Sequence, residues 1–238
     1  MSPDFSTRSN AIEVMDDLTC SGEVVNQTLV ELEIINKWLG GNAVTLNGFH
    51  ALLSSPSAKS ETLTVVDLGC GGGDMLKLLA VHFKKKDLNA EFVGIDANPN
   101  IIEFAKRNAQ SFPEIKFQTQ DILSNDFQSQ RYDIVFATLF FHHFTSDQLV
   151  EIFKSLKKQT AVGIVINDLH RHWLAYHSIK LLTKFFSRSS MVQNDAPLSV
   201  LRGFSRKELM EILQKAGIEN YTLTWKWAFR WQLVIWSL

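Results

Sequence analysis

Residues 67–74 read Asp-Leu-Gly-Cys-Gly-Gly-Gly-Asp and directly follow a short β-branched run, Leu63–Val66. Glycine at alternate positions lets the backbone turn sharply and approach a ligand closely. The helical pattern that begins at Asp74 adds unpaired backbone N–H groups, which suit an anionic ligand group. This order of strand, loop and helix indicates an α/β fold with a ligand site at the carboxyl end of its first strand.

Two common nucleotide-binding motifs do not fit this loop. The dinucleotide fingerprint G-x-G-x-x-G, counted from Gly69, requires glycine at the position of Asp74, and it also fails when counted from Gly71. The P-loop requires Gly-Lys followed by Ser or Thr, which does not follow here. The glycines therefore indicate a ligand of another class.

Alternating strands and helices follow this loop. Capping patterns at Asn98, Thr145 and Ser205 mark three helix starts. Such alternation predicts βαβ units, a parallel sheet and right-handed crossovers. Residues 221–238 alternate large apolar with mostly polar side chains, which predicts a terminal β-hairpin. The further predicted strands lie at residues 91–95, 115–119, 132–137 and 161–166.

The region before the first strand has a different pattern. Apolar residues recur at helical spacing from Val24 to Leu39, and two glycines end the run. The small polar residues of the stretch 54–60 have loop chemistry and mark a boundary. We therefore expect an N-terminal helical cap or lid over residues 1–60 and the main domain over residues 61–238.

A second departure follows the fifth predicted strand. Residues 168–203 are too many for a simple connection, so they predict an inserted lid. We expect an amphipathic helix at about residues 173–186 and a loop through Asp195–Pro197. The apolar side of that helix is expected to pack in the core, to face a second copy of the chain in a homodimer, or to face a membrane surface.

Composition narrows the function classes. The 238 residues are 45% hydrophobic and 21% charged, as in globular proteins. Lys and Arg number 24 against 25 Asp and Glu, so no basic excess favours a nucleic-acid partner. Two cysteines exclude a disulfide scaffold and favour a reduced, cytoplasmic setting. The polar N-terminus predicts no signal peptide, and no apolar run is long enough for stable membrane insertion.

From residue 63 onward the sequence resembles the class I S-adenosylmethionine-dependent methyltransferases. Their first motif, an acidic residue followed by Gly-x-Gly-x-Gly, matches residues 67–73, and their acidic residue at the end of the second strand matches Asp96. The resemblance implies that Asp96 holds the ribose hydroxyls and that Asp121 meets the adenine amino group. It also implies a Rossmann-like sheet of seven strands with one antiparallel terminal strand. The donor-binding residues implied in this way are Asp67, Gly69, Cys70, Gly71, Asp96, Ala97, Asp121, Ile122 and Ala137.

Histidines follow the fourth and fifth predicted strands, on the side of the sheet where the donor is expected. A weakly acidic hydroxyl acceptor needs a base near neutral pH, which histidine supplies. We predict that His143 or His170 is this base, with Asp168 or Arg171 orienting it or the substrate. No cluster of Cys and His has zinc spacing, and residues 137–144 contain no acid for a metal, so no metal site is predicted.

The acceptor class rests on the same resemblance. Enzymes that methylate amino groups of nucleic acids or glutamine have an Asn/Asp-Pro-Pro-aromatic run after the fourth strand, where this chain has Ala137–Phe140. The His142-His143 pair and residues 31–41 resemble small-molecule enzymes linked to polyketide and quinone-like products. We therefore predict methylation of a hydroxyl on a small apolar aromatic or polyketide-like metabolite. Carbon methylation of a quinone-type ring, and a non-catalytic protein that only binds S-adenosylmethionine, remain alternatives.

Overall fold

Seven strands form one sheet in this computed structural model, which describes residues 3–54 and 61–237. The strands are β1 (Leu63–Leu68), β2 (Ala90–Asp96), β3 (Ile115–Thr119), β4 (Tyr132–Thr138), β5 (Thr160–Leu169), β6 (Tyr221–Lys226) and β7 (Arg230–Trp236). Their order is β3-β2-β1-β4-β5-β7-β6. The first five strands pair in parallel, and β7 runs antiparallel to both β5 and β6. The predicted seven-stranded sheet with one antiparallel strand is confirmed.

Helices cover both faces of this sheet. The capping residues Asn98, Thr145 and Ser205 each accept a hydrogen bond from a backbone N–H in the first turn, as the sequence predicts. Short 3-10 turns lie at Val14–Asp16 and Phe141–His143. The helices are α1 (Glu23–Trp38), α2 (Gly41–Leu53), α3 (Asp74–Lys85), α4 (Pro99–Asn108), α5 (Asn125–Gln128), α6 (Ser146–Gln159), α7 (Trp173–Phe186), α8 (Ser190–Arg202) and α9 (Arg206–Lys215).

The N-terminal helices are part of this covering. Phe49 and Leu52 of α2 are fully buried, and the Phe49 ring contacts the Phe136 ring of β4 edge to face at 5.2 Å. Helix α1 lies farther out and contacts α8 and α4. The boundary stretch 54–60 lies, beyond Ser54, outside the described residues. The division into a cap over residues 1–60 and a main domain over 61–238 stays a prediction.

The insertion after β5 is more helical than expected. The loop predicted through Asp195–Pro197 is wrong, because α8 continues through Pro197. Proline removes one helical hydrogen bond, but tertiary contacts hold this helix. Met191, Val192 and Val200 are buried, and the Asp195 carboxylate accepts hydrogen bonds from two backbone N–H groups of the Val14 turn.

Helix α7 exposes several large apolar side chains. It buries only Ala175 and Thr183, whereas Leu181, Phe185 and Phe186 are exposed. None of the helices in the described part of the chain combines the length and the apolar character needed to cross a bilayer.

Candidate functional site

The glycine loop after β1 forms the floor of a cavity of about 910 Å³. Gly69 has a φ of 67°, and a Cβ atom there would lie 2.1 Å from the Phe140 ring. Only glycine therefore allows the chain after β4 to cross this loop closely. The loop ends in α3, whose N-cap is Gly73. The cavity size falls in the upper part of the usual range for small-molecule sites, about 300–1,000 Å³.

The predicted donor residues divide into two groups. Six of them line the cavity, and they come from the ends of three neighbouring strands. The other three, Asp67, Cys70 and Ala137, are buried beneath it, so their predicted donor contacts are not seen in this cavity. Leu139 and Phe140 line the cavity beyond Ala137 instead. The six lining residues are Gly69, Gly71, Asp96, Ala97, Asp121 and Ile122.

The Asp96 carboxyl fits the ribose-binding role that the resemblance implies. Its oxygens accept hydrogen bonds from the backbone N–H groups of Asn98 at 3.0 Å and Gly71 at 3.4 Å, which fix the carboxylate at the cavity. Burial raises the pKa of Asp96. A bound diol would donate two hydroxyl hydrogen bonds to this carboxylate, an interaction stronger than one between neutral groups.

Asp67 lies directly below, and its environment favours the neutral acid. Burial, and then the nearby Asp74 and Asp96 carboxylates, raise the pKa of Asp67 well above its usual range. Its Oδ1 atom is buried and has no hydrogen-bond partner among the described residues. Asp67 therefore does not contribute a charge to the cavity surface.

His142 is held rigidly inside the protein. Its Nδ1 lies 2.8 Å from Asp168 Oδ1, and the other Asp168 oxygen accepts the Phe141 N–H at 2.8 Å. Burial opposes ionisation of Asp168, but the neighbouring His142 lowers its pKa below the usual range. Asp168, predicted to orient a catalytic base or the substrate, thus orients the buried His142.

His143, one of the two predicted bases, lies at the cavity beside a carboxylate. Its ring lines the cavity, and its Nδ1 lies 2.6 Å from Asp16 Oδ1. The other ring nitrogen, Nε2, has no hydrogen-bond partner among the described residues. Burial raises the pKa of Asp16, but hydrogen bonds from His143 and Arg202 outweigh it and hold that pKa below its usual range. Asp16 is therefore an ionised carboxylate that fixes the imidazole.

His170, the other predicted base, does not line this cavity. Its ring contacts Trp231 at 5.1 Å, and its Nδ1 accepts a hydrogen bond from the Trp225 indole at 3.2 Å. Arg171, the other predicted orienting residue, forms a bidentate pair with Glu208 at 2.7 and 3.0 Å. The β5–β7 pairing turns this segment toward the terminal hairpin, so the structure separates His170 from His143.

Several charged residues at the site were not found from the sequence. Arg8 donates hydrogen bonds to the carbonyls of His142 and Phe144, at 2.9 and 2.8 Å. Arg202 donates to the carbonyl of His143 at 2.7 Å and to Asp16 Oδ2 at 2.5 Å. The N-terminal segment thereby forms one wall of the cavity.

Three neighbouring side chains at the site, Glu13, His142 and His143, are of types that bind metals. Ligand atoms of Glu13, His142 and His143 all lie within 4.8 Å of one another. The Arg202 guanidinium lies 3.6 Å from Glu13 Oε1 and competes for the same carboxylate. Charge compensation at this point is therefore already provided by arginine.

Glu13 should make the stability depend on pH. Burial raises its pKa from 4.5 to about 7. The unfolded chain ionises from about pH 4.5 while the folded chain still holds the proton, so stability falls as pH rises to about 7. Between about pH 5 and about pH 8, we expect the unfolding free energy of the unmodified protein to fall by on the order of 3 kcal/mol more than that of Glu13→Gln. Urea unfolding of both proteins at the two pH values measures this difference. The exposed Glu23→Gln is the control; equal pH dependence in both variants would contradict the assignment.

Comparisons with known proteins agree with this geometry. The family model described as "Methyltransferase domain" matches residues 59–217. The chain is 24% identical over 176 residues to carboxy-S-adenosyl-L-methionine synthase of Staphylococcus epidermidis, covering 70% of this chain and 75% of that protein. It is 34% identical over 85 residues to ubiquinone biosynthesis O-methyltransferase of Coxiella burnetii, covering 35% of this chain and 34% of that enzyme.

Among solved structures, the fold is similar to that of the plantazolicin methyltransferase BpumL in complex with SAH. The TM-score is 0.66 at 15% identity, covering 90% of this chain and 95% of that chain. The family match extends over more than half of the sequence, and the seven-stranded sheet and the glycine loop are those that the resemblance implies. The chain therefore belongs to the methyltransferase-domain family, as a class I methyltransferase whose methyl donor is S-adenosylmethionine.

Proposed function

We propose that this protein transfers a methyl group from S-adenosylmethionine to a hydroxyl of a small aromatic or polyketide-like acceptor, with His143 as the general base. The observation that carries the proposal is the Asp16–His143 pair on the wall of the same cavity that the glycine loop and Asp96 line. A carboxylate paired with one ring nitrogen fixes the tautomer and leaves the other nitrogen available as a base.

The step assigned to this chain is a proton transfer. With the proton on Nδ1 directed to Asp16, His143 Nε2 carries the lone pair and accepts the hydroxyl proton of the acceptor. Asp16 then stabilises the imidazolium that forms. S-adenosylmethionine, when bound, would supply the methyl group of its sulfonium, which would pass to the deprotonated oxygen as the S–CH₃ bond breaks and S-adenosylhomocysteine is left. The remaining contribution of the protein is alignment of the two reactants.

The walls around His143 support an acceptor with a flat, apolar ring. Leu139, Phe140 and Phe144 line the cavity on the β4 side, and Ile179 of α7 lines it from the insertion. Aromatic rings pack well against such surfaces, and an apolar wall excludes water that would otherwise solvate the nucleophile. These contacts are consistent with the acceptor class that the sequence predicts.

The experiment is a transfer assay with labelled S-adenosylmethionine and a panel of phenols and quinols. We expect label on an acceptor oxygen, identified by NMR of the product. Label on a ring carbon would establish the carbon-methylation alternative. Calorimetric binding of S-adenosylhomocysteine without transfer to any acceptor would support the non-catalytic alternative, and no binding would contradict the donor site itself.

A further inference from the structure

Arg230, the first residue of β7, is a buried cation with little compensation. It is 2% exposed, and it is among the residues that line the cavity. Its Nη1 makes one long hydrogen bond, 3.4 Å, to Asn167 Oδ1, and its Nε has no hydrogen-bond partner among the described residues. No described carboxylate forms an ion pair with it. Burial of a charge in this way is unfavourable unless a partner is supplied.

The other arginines near the site are fully engaged. Arg171 is held by both Glu208 oxygens and by backbone carbonyls. Arg202 binds Asp16 and three carbonyls, and Arg8 donates to three carbonyls. Asp168 is the acid that acts on Arg230 electrostatically, but its oxygens already accept hydrogen bonds from His142, Phe141 and Leu169. Arg230 therefore differs from its neighbours, because its single side-chain hydrogen bond to the described residues is the long one to Asn167.

Arg230 packs closely against the start of α2. A Cβ atom on Gly41 would lie 2.9 Å from Arg230 Cζ and 1.9 Å from Asn36 Oδ1, so only glycine leaves room for these two side chains. Asn36 Oδ1 is buried and has no donor among the described residues. The α2 side therefore supplies no anion, and an anionic oxygen that pairs with the guanidinium would come from a ligand in the cavity.

We propose that Arg230 binds a carboxylate of the methyl acceptor, which makes the acceptor a hydroxyaryl carboxylate. The inference rests on the proposed function, because it assumes that the cavity holds the acceptor beside the donor. The planar guanidinium fork matches a carboxylate in two-point contact, and the desolvated site strengthens that contact. Arg230 then selects acidic acceptors over their neutral analogues.

The test is calorimetric binding to the full chain saturated with S-adenosylhomocysteine. The probes are 2,4-dihydroxybenzoate and resorcinol, which differ only in the carboxylate. We expect the unmodified protein to bind the acid about 10–100-fold more tightly, the range for hydrogen bonds to a charged group. Arg230→Met should abolish this preference and leave resorcinol binding unchanged, whereas the exposed Arg206→Met should retain the preference.

Further measurements separate recognition from folding and from turnover. Removing an unpaired buried cation should not lower the melting temperature of the ligand-free protein, whereas loss of a structural contact would lower it. Should Arg230→Met fail to fold, Arg230→Lys keeps the charge without the fork and should retain only part of the preference.

Equal binding of both probes by the unmodified protein, or a preference retained without Arg230, would overturn the inference. Because these readouts need no methyl transfer, a binding preference without turnover would count against the proposed function alone.

Discussion

His143→Gln is expected to lower kcat by about 10²–10⁴ and to leave the affinity for S-adenosylhomocysteine unchanged, if His143 takes the acceptor proton. Glutamine approximates the size of the ring and can still bond to Asp16, so the cavity wall is kept while the base is lost. Initial rates with the best phenol of the panel measure the effect. The loss should shrink for acceptors whose hydroxyl is already ionised at the assay pH, because those acceptors need no base.

The comparison with His170 gives the control. His170 contacts the terminal hairpin and does not line the cavity, so His170→Gln should leave kcat within about twofold of the unmodified enzyme. Asp16→Asn should lower kcat as well, because the amide no longer stabilises the imidazolium, and its effect should not add to that of His143→Gln. Unchanged rates for His143→Gln would remove histidine base catalysis at this site.

Asp96→Asn is expected to weaken S-adenosylhomocysteine binding by about 10²-fold. The amide keeps the size of the carboxyl and can still accept the Asn98 N–H, but it loses the charge that would strengthen two ribose hydrogen bonds. Each hydrogen bond to a charged group contributes about 1.5–3 kcal/mol, so partial loss of both gives this magnitude. Isothermal titration measures the dissociation constant directly.

The matched control for this substitution is Asp126→Asn. Asp126 is exposed on α5 and does not line the cavity, so its variant should bind S-adenosylhomocysteine normally. A dissociation constant for Asp96→Asn within threefold of the unmodified value, or roughly 0.6 kcal/mol, would show that Asp96 does not hold the donor.

The donor half of the site could be predicted because its signals are local. The glycine loop, the strand before it and the acid at the end of the next strand are read from neighbouring residues, and the parallel sheet brings them together. The hairpin was found by its period of two. The route of α8 was missed because proline is a strong local signal against helix, while the buried contacts that hold it are distant in sequence.

The acceptor half could not be found in this way. Asp16 bonds to His143 across 127 residues, and Arg202 bonds to Asp16 across 186 residues. Neither pair has a spacing that periodicity or a motif detects. The start of the N-terminal segment is polar and aperiodic, so nothing local in its sequence indicates that Arg8 and Glu13 reach the site through tertiary contacts.

The donor floor and the proposed acceptor wall come from different parts of the chain, and this affects how such enzymes diverge. The donor floor comes from a stretch between Gly69 and Ile122, whereas the proposed acceptor wall is assembled from the N-terminal segment, the chain after β4, the insertion and the start of β7. Substitutions in the acceptor wall can therefore change which metabolite is accepted without altering the loop that receives the donor. Selection can then act on the two halves almost independently, with the chain after β4, where Phe140 crosses Gly69, as the contact that both must preserve.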